Sequence, residues 1–108
     1  MTLNIELIDK IINVTSKAAT SCYKFLGKND KVNADKAATD SMRHEINKLK
    51  INGEVVIGEG ELDEAPMLYI GEKLGAGGKI NLDIAVDPLE GTNFVAKNLP
   101  GALSVISI

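Results

Sequence analysis

Tryptophan is absent from this chain, and cysteine and histidine occur once each, as Cys22 and His44. A lone cysteine rules out an internal disulfide framework. Its apolar helical surroundings mark Cys22 as a buried, inert thiol, because free cysteine packs as a small hydrophobe. His44 lies between Arg43 and Glu45, on the expected polar side of a helix. No Ser-His-Asp or Cys-His centre can then draw its base from this chain. Two tyrosines and two phenylalanines are the whole aromatic complement, so the core must be aliphatic. No apolar run approaches the roughly 18 residues of a membrane-spanning helix. No Lys/Arg patch is present and the net charge is −3, which argues against a nucleic-acid partner. The start, Met-Thr-Leu-Asn-Ile-Glu, lacks the basic-then-apolar pattern of a secretion signal, so a cytoplasmic location is expected.

What remains is 108 residues, 44% apolar and 25% charged, a globular composition. The length predicts one domain over residues 1–108, burying roughly two-thirds of its unfolded surface.

The most informative stretch is Asp87-Pro88-Leu89-Glu90-Gly91-Thr92, which follows the apolar run Ile84-Ala85-Val86. The run predicts a strand over 80–87 with Asp87 at its carboxyl end. Pro88 fixes its own φ and is expected to turn the chain. Glu90 adds a second hard oxygen donor. Gly91 lets backbone approach a ligand without an obstructing Cβ. Thr92 supplies a hydroxyl where a helical turn would begin, and helix N-termini favour phosphate.

A second acidic cluster lies upstream. Val55-Val56-Ile57 runs into Gly58-Glu59-Gly60-Glu61-Leu62-Asp63-Glu64. In extended chain, side chains repeat every second residue, so Glu59, Glu61 and Asp63 could share one face. A pair of carboxylates about 4 Å apart repels by on the order of 4 kcal/mol at an effective dielectric near 20. If such groups converge, a divalent cation or raised pKa values must offset the repulsion. One acidic loop reads most simply as solvated surface. Two such loops, each just after a strand, point to a shared site.

The segment from Gly58 through Glu64 to Ala65-Pro66-Met67-Leu68-Tyr69-Ile70-Gly71-Glu72, followed by Asp83 to Thr92, resembles bacterial class II fructose-1,6-bisphosphatase. More remotely it is similar to the lithium-sensitive, metal-dependent phosphatase superfamily that includes inositol monophosphatases. Tyr23 to Lys28, Asp30-Lys31 and Ala34-Asp35 add to the resemblance, which runs through residues 5–108. It implies hydrolysis of the 1-phosphate of fructose 1,6-bisphosphate, a gluconeogenic reaction, with Mg²⁺ or Mn²⁺ as cofactor. It implies Asp35, Glu59, Asp87 and Glu90 as metal ligands, and Glu61 and Asp63 as acidic residues of the chemistry. Glu90, Gly91 and Thr92 would contact the scissile phosphate, and Thr92 would position the attacking water. Members of that family are longer, and their second half reads the sugar. The chain is therefore expected to hold the metal end alone and to be inactive by itself. It would act with a complementary C-terminal chain or as a homo-oligomer. Two other readings stand beside this one: a non-catalytic, metal-binding piece of a split or truncated gene, and an inositol-type monophosphatase. The long match around 58–72 favours the bisphosphatase over the latter.

For the remaining elements, apolar spacing predicts a helix over 5–26, stopped by Gly27. Ile5, Ile8, Ile12, Ala19, Cys22 and Leu26 lie near one face, with Leu7, Ile11, Ala18 and Phe25 beside it. Asn33 is expected to cap a second helix with Ala34, Ala38, Met42, Ile46 and Leu49 as its apolar stripe. Asp35 would then fall in the first turn, where simple dipole compensation, roughly 0.3–1 kcal/mol, competes with ligation as its role. A strand is expected over 54–58 and another over 102–108. Residues 66–74 are ambiguous between strand and helix, and Tyr69 among them is expected to pack. The glycine-rich Gly75 to Lys79 lacks the Gly-Lys-Ser/Thr ending of a nucleotide loop and reads as a turn. Asn93 to Lys97 suggests a short helical turn. Two helices followed by strands predict an α+β fold, a layered sandwich with the helices on a mixed sheet and its last strand an open edge.

Overall fold

Asn4 begins the first helix: its side-chain oxygen accepts the Leu7 backbone N–H at 2.7 Å. The structure is a computed structural model that describes residues 4–59 and 67–108. Helix α1 spans Ile5–Ser21 and a 3-10 turn, Tyr23–Phe25, follows. The helix therefore stops short of the expected Gly27. Three consecutive side chains account for this. Thr20 Oγ1, Ser21 Oγ and Cys22 Sγ each donate back to a carbonyl three or four residues earlier. Such bonds compete with the helical ladder.

The buried face of α1 is also rotated from the expected one. Leu7, Val14, Ala18 and Cys22 are buried with Ile11 packed beside them, whereas Ile5 is 78% and Ile12 58% exposed. Two apolar stripes run along this helix, and periodicity alone does not rank them.

Helix α2 spans Lys31–Ile46. Its cap is Asp30, not Asn33: the Asp30 carboxylate accepts the Asn33 N–H at 3.1 Å and the Asn33 side-chain amide at 2.6 Å. Asp35 consequently lies beyond the first turn, where the helix dipole is already weak. Ala34, Ala38, Met42, Ile46 and Leu49 are all buried, as their spacing predicts.

Four strands follow: β1 Asn52–Ile57, β2 Lys73–Leu74, β3 Asn81–Glu90 and β4 Leu103–Ser107. The short helix α3, Thr92–Ala96, lies between β3 and β4. The strand order is β2-β1-β3-β4. The β1·β3 pair is parallel and the two outer pairs are antiparallel, so the sheet is mixed. The fold is α+β. Leu82, Ile84 and Val86 of β3, with Val55 of β1, point into the core that also holds Val14, Ala18, Met42 and Ile46. The opposite face of the sheet leaves Val56, Leu103 and Val105 exposed.

Strand β3 runs three residues past the expected end and contains Pro88. The proline does not turn the chain; it is fully buried within the strand. Its missing N–H coincides with a register shift against β4 between Asp87 and Glu90, where a ladder donor is dispensable. Residues 67–72, with an isolated bridge at Tyr69, are neither helix nor extended strand. Tyr69 is half-buried. The segment from Gly75 to Lys79 is a turn leading into β3, with no helix behind it.

Candidate functional site

Parallel pairing of β1 and β3 decides where the acidic segments go. Both strands end on the same side of the sheet, Glu54 pairs with Asp83, and Ile57 pairs with Ala85. The residues just beyond β1 thus emerge beside the second half of β3. Ligands of α/β sheets commonly sit outside the carboxyl ends of such strands. The first acidic residue after β1 is Glu59. Asp87 and Glu90 are on β3, and Asp35 reaches the same region from α2.

Gly58 makes the approach of Glu59 feasible. A Cβ there would stand 2.3 Å from the Leu68 carbonyl oxygen, which accepts the Glu59 N–H at 2.9 Å. This bond ties Glu59 to Leu68. The Glu59 carboxylate is half-buried, and its Oε2 accepts the Thr39 hydroxyl at 3.0 Å. Burial is the main reason its pKa is pushed up to about 7. The Asp35 charge acts in the same direction, as do a hydrogen bond shared with the Asp35 carboxyl and the charge of Asp87; the Thr39 bond opposes them. Asp87 is also raised, by burial first, then by the charges of Glu90 and Asp35, against a backbone bond from Leu89 that lowers it. The four carboxylates expected as ligands therefore lie in one electrostatic neighbourhood.

A cleft of about 480 Å³ opens here, walled by Lys31, Asp35, Thr39, Glu59, Leu89 and Thr92 among others. Thr92 begins α3 directly after Gly91, whose φ is +83° and whose absent Cβ would meet Phe94 Cδ2 at 2.8 Å. Glu90 is exposed at the end of β3. Among the described residues, no three His, Cys, Asp or Glu side chains already form a metal cage. The donor chemistry nonetheless fits a hard divalent cation: carboxylate and hydroxyl oxygens from three stretches, two of the carboxylates disfavoured as anions. Glu61 and Asp63 lie outside the described residues.

Sequence reasoning missed the polar supports of this site. Asp35, Thr39 and Arg43 recur at four-residue intervals on α2, one polar stripe beside the apolar one. Arg43 Nε donates to Glu72 Oε2 at 2.8 Å, and its Nη2 donates to Glu72 Oε1 at 3.1 Å and to the Met67 carbonyl at 2.7 Å. Lys31 adds a cation at the rim one turn before Asp35. The spacing was available as a signal; which partners it met was not. His44 is exposed and Cys22 is buried, with its thiol pKa raised by burial, as expected of a surface imidazole and an inert thiol.

The whole of this arrangement falls within a recognised family. Residues 5–108 match the family described as "Bacterial fructose-1,6-bisphosphatase, glpX-encoded". The chain belongs to that family. Over 103 residues it is 52% identical to "Fructose-1,6-bisphosphatase 1 class 2" of Escherichia coli (strain K12), which covers 95% of this chain and 31% of the relative. Over 105 residues it is 47% identical to "D-fructose 1,6-bisphosphatase class 2/sedoheptulose 1,7-bisphosphatase" of Prochlorococcus marinus (strain AS9601), covering 97% of this chain and 32% of that relative. The chain thus spans about a third of the length of the curated bisphosphatases it matches. No helix among the described residues is long and apolar enough to cross a membrane.

Proposed function

We propose that this chain supplies the metal-holding part of a cytoplasmic fructose-1,6-bisphosphatase that converts fructose 1,6-bisphosphate and water to fructose 6-phosphate and phosphate. What supports the reading is that Asp35 and Glu59 line one cleft, that the charges of Asp35 and Asp87 act on Glu59, and that the charge of Glu90 acts on Asp87, in a family member. These four residues would hold Mg²⁺ or Mn²⁺. Such ions, when bound, supply Lewis acidity toward a phosphate oxygen and a nearby water.

The chain's own groups do the rest. Glu90, Gly91 and Thr92 face the phosphate to be cleaved, and the Thr92 hydroxyl at the cleft wall orients the attacking water. Glu61 and Asp63 order that water and take its proton. Lys31 at the rim attracts the incoming phosphate. Residues 1–108 form the metal-binding part of a larger catalytic unit, and the sugar is read by groups outside these residues. Choice between fructose and sedoheptulose bisphosphates rests with those groups. The 108-residue chain is accordingly expected to bind metal and to turn over little substrate without a second copy or a complementary chain.

Calorimetric titration with Mn²⁺ and an assay of phosphate release test this directly. The chain should bind Mn²⁺, and Glu59→Gln should lose that binding. In any form of the protein that hydrolyses fructose 1,6-bisphosphate, Glu59→Gln should abolish phosphate release. Activity retained by this variant at saturating Mn²⁺ would remove the basis of the assignment.

A further inference from the structure

Thr39 is the one threonine of α2 buried against the carboxylate cluster, with only 1% of its surface exposed. Threonines inside helices commonly return their hydroxyl to a carbonyl of the preceding turn. Both threonines of α1 do so: Thr15 donates to the Ile12 carbonyl at 3.0 Å and Thr20 to the Ser16 carbonyl at 2.8 Å. Thr39 does not. Its Oγ1 crosses to Glu59 Oε2, twenty residues away in sequence and on a different element. One turn before it on the same helix is Asp35, which presses on Glu59 electrostatically. One turn after it is Arg43, which grips Glu72 and the Met67 carbonyl. Glu59 and Met67 are thus both tied to α2, through Thr39 and Arg43.

We propose that Thr39 is a positioning residue that aims the Glu59 carboxylate at the cation site, so that α2 provides both a ligand, Asp35, and the hydrogen bond that orients another. The inference rests on the metal-centre reading above. Glu59 carries a flexible side chain on a residue just past a strand end, and Asp35 repels it. The Thr39 bond offsets that repulsion and fixes Oε2. Hydrogen bonds behind metal ligands typically change affinity by roughly 10–100-fold when removed. Thr39 touches neither substrate nor ion in this account; it acts through Glu59.

The test is Mn²⁺ titration of the 108-residue chain by calorimetry, with melting temperature recorded without metal for every variant. Thr39→Val keeps the shape and removes the hydroxyl. Thr39→Ala removes both. Thr39→Ser keeps the hydroxyl. The proposal predicts that Val and Ala variants bind Mn²⁺ about tenfold more weakly to a similar degree, although Ala lowers the melting temperature more. Ser should bind within about twofold of the parent. A packing role gives a different order, with Val close to the parent and both Ala and Ser impaired, and that order overturns the proposal. Parent-like affinity in the Val variant does so as well. Failure of the parent chain to bind Mn²⁺ at all overturns the metal-centre reading itself, and the role of Thr39 with it.

Discussion

At the scale of the residue, Glu59 sets the behaviour of the site. Its pKa of about 7 stands above the ordinary carboxylate value of 4.5, chiefly because burial disfavours the anion and Asp35 repels it. The folded chain therefore holds this proton over a pH range in which the unfolded chain has released it. The resulting stabilisation is complete below about pH 4.5 and is lost as pH rises through about 7. Without divalent metal, the melting temperature should be higher at pH 5.5 than at pH 8, and Glu59→Gln should reduce the difference. A thermal scan at both values checks this; equal melting temperatures for the parent would contradict it. Arg43 and Glu72 present a different case. Glu72 is 8% exposed and accepts two bonds from the guanidinium. Arg43→Met leaves that carboxylate without its cation and should cost about 2–3 kcal/mol in denaturant unfolding, since Arg43 itself is only partly buried. Neither pairing was legible in the sequence. The carboxylates announced themselves by type and clustering, but a threonine and an arginine in a helix have many potential partners, and only tertiary structure selects one.

At the scale of the element, the second helix was readable because a single apolar stripe runs along it from Ala34 to Ile46. The first helix carries two stripes, and packing against α2 and the sheet buries the one containing Leu7, Val14 and Ala18 while Ile5 and Ile12 remain outside. Asp30 and Asn33 are both good caps; Asp30 wins by taking two bonds from Asn33. Pro88 read as a turn because a proline interrupts a strand's ladder, yet the register shift in β3 against β4 leaves room for it. The parallel pairing of β1 and β3 was not legible either, although it is what brings Glu59 and Asp87 to one side of the sheet. Gly58 guards that arrangement. A Cβ at this position collides with the Leu68 carbonyl, so Gly58→Ala should cost about 1–3 kcal/mol and should also weaken Mn²⁺ binding, because Glu59 moves with the backbone. Chemical denaturation and metal titration of this variant measure the two effects separately. Loss of neither would show that the close approach at Leu68 is unimportant.

At the scale of the whole molecule, helices cover one face of the sheet while Val56, Leu103 and Val105 remain exposed on the other, and β4 is an edge strand. Exposed apolar edges template association. The 108-residue chain should therefore self-associate with rising concentration in sedimentation velocity, and Val105→Lys should shift it toward monomer. A parent chain that stays monomeric at high concentration would contradict this. The bisphosphatase reading depends on a property of the molecule that no single element has, namely that α2, the end of β1 and β3 deliver their carboxylates to one ion. Anomalous diffraction from crystals grown with Mn²⁺ tests it most directly. The account predicts a manganese peak among the carboxylates of Asp35, Glu59 and Asp87. Manganese bound elsewhere, with these three side chains turned away from one another, would contradict it.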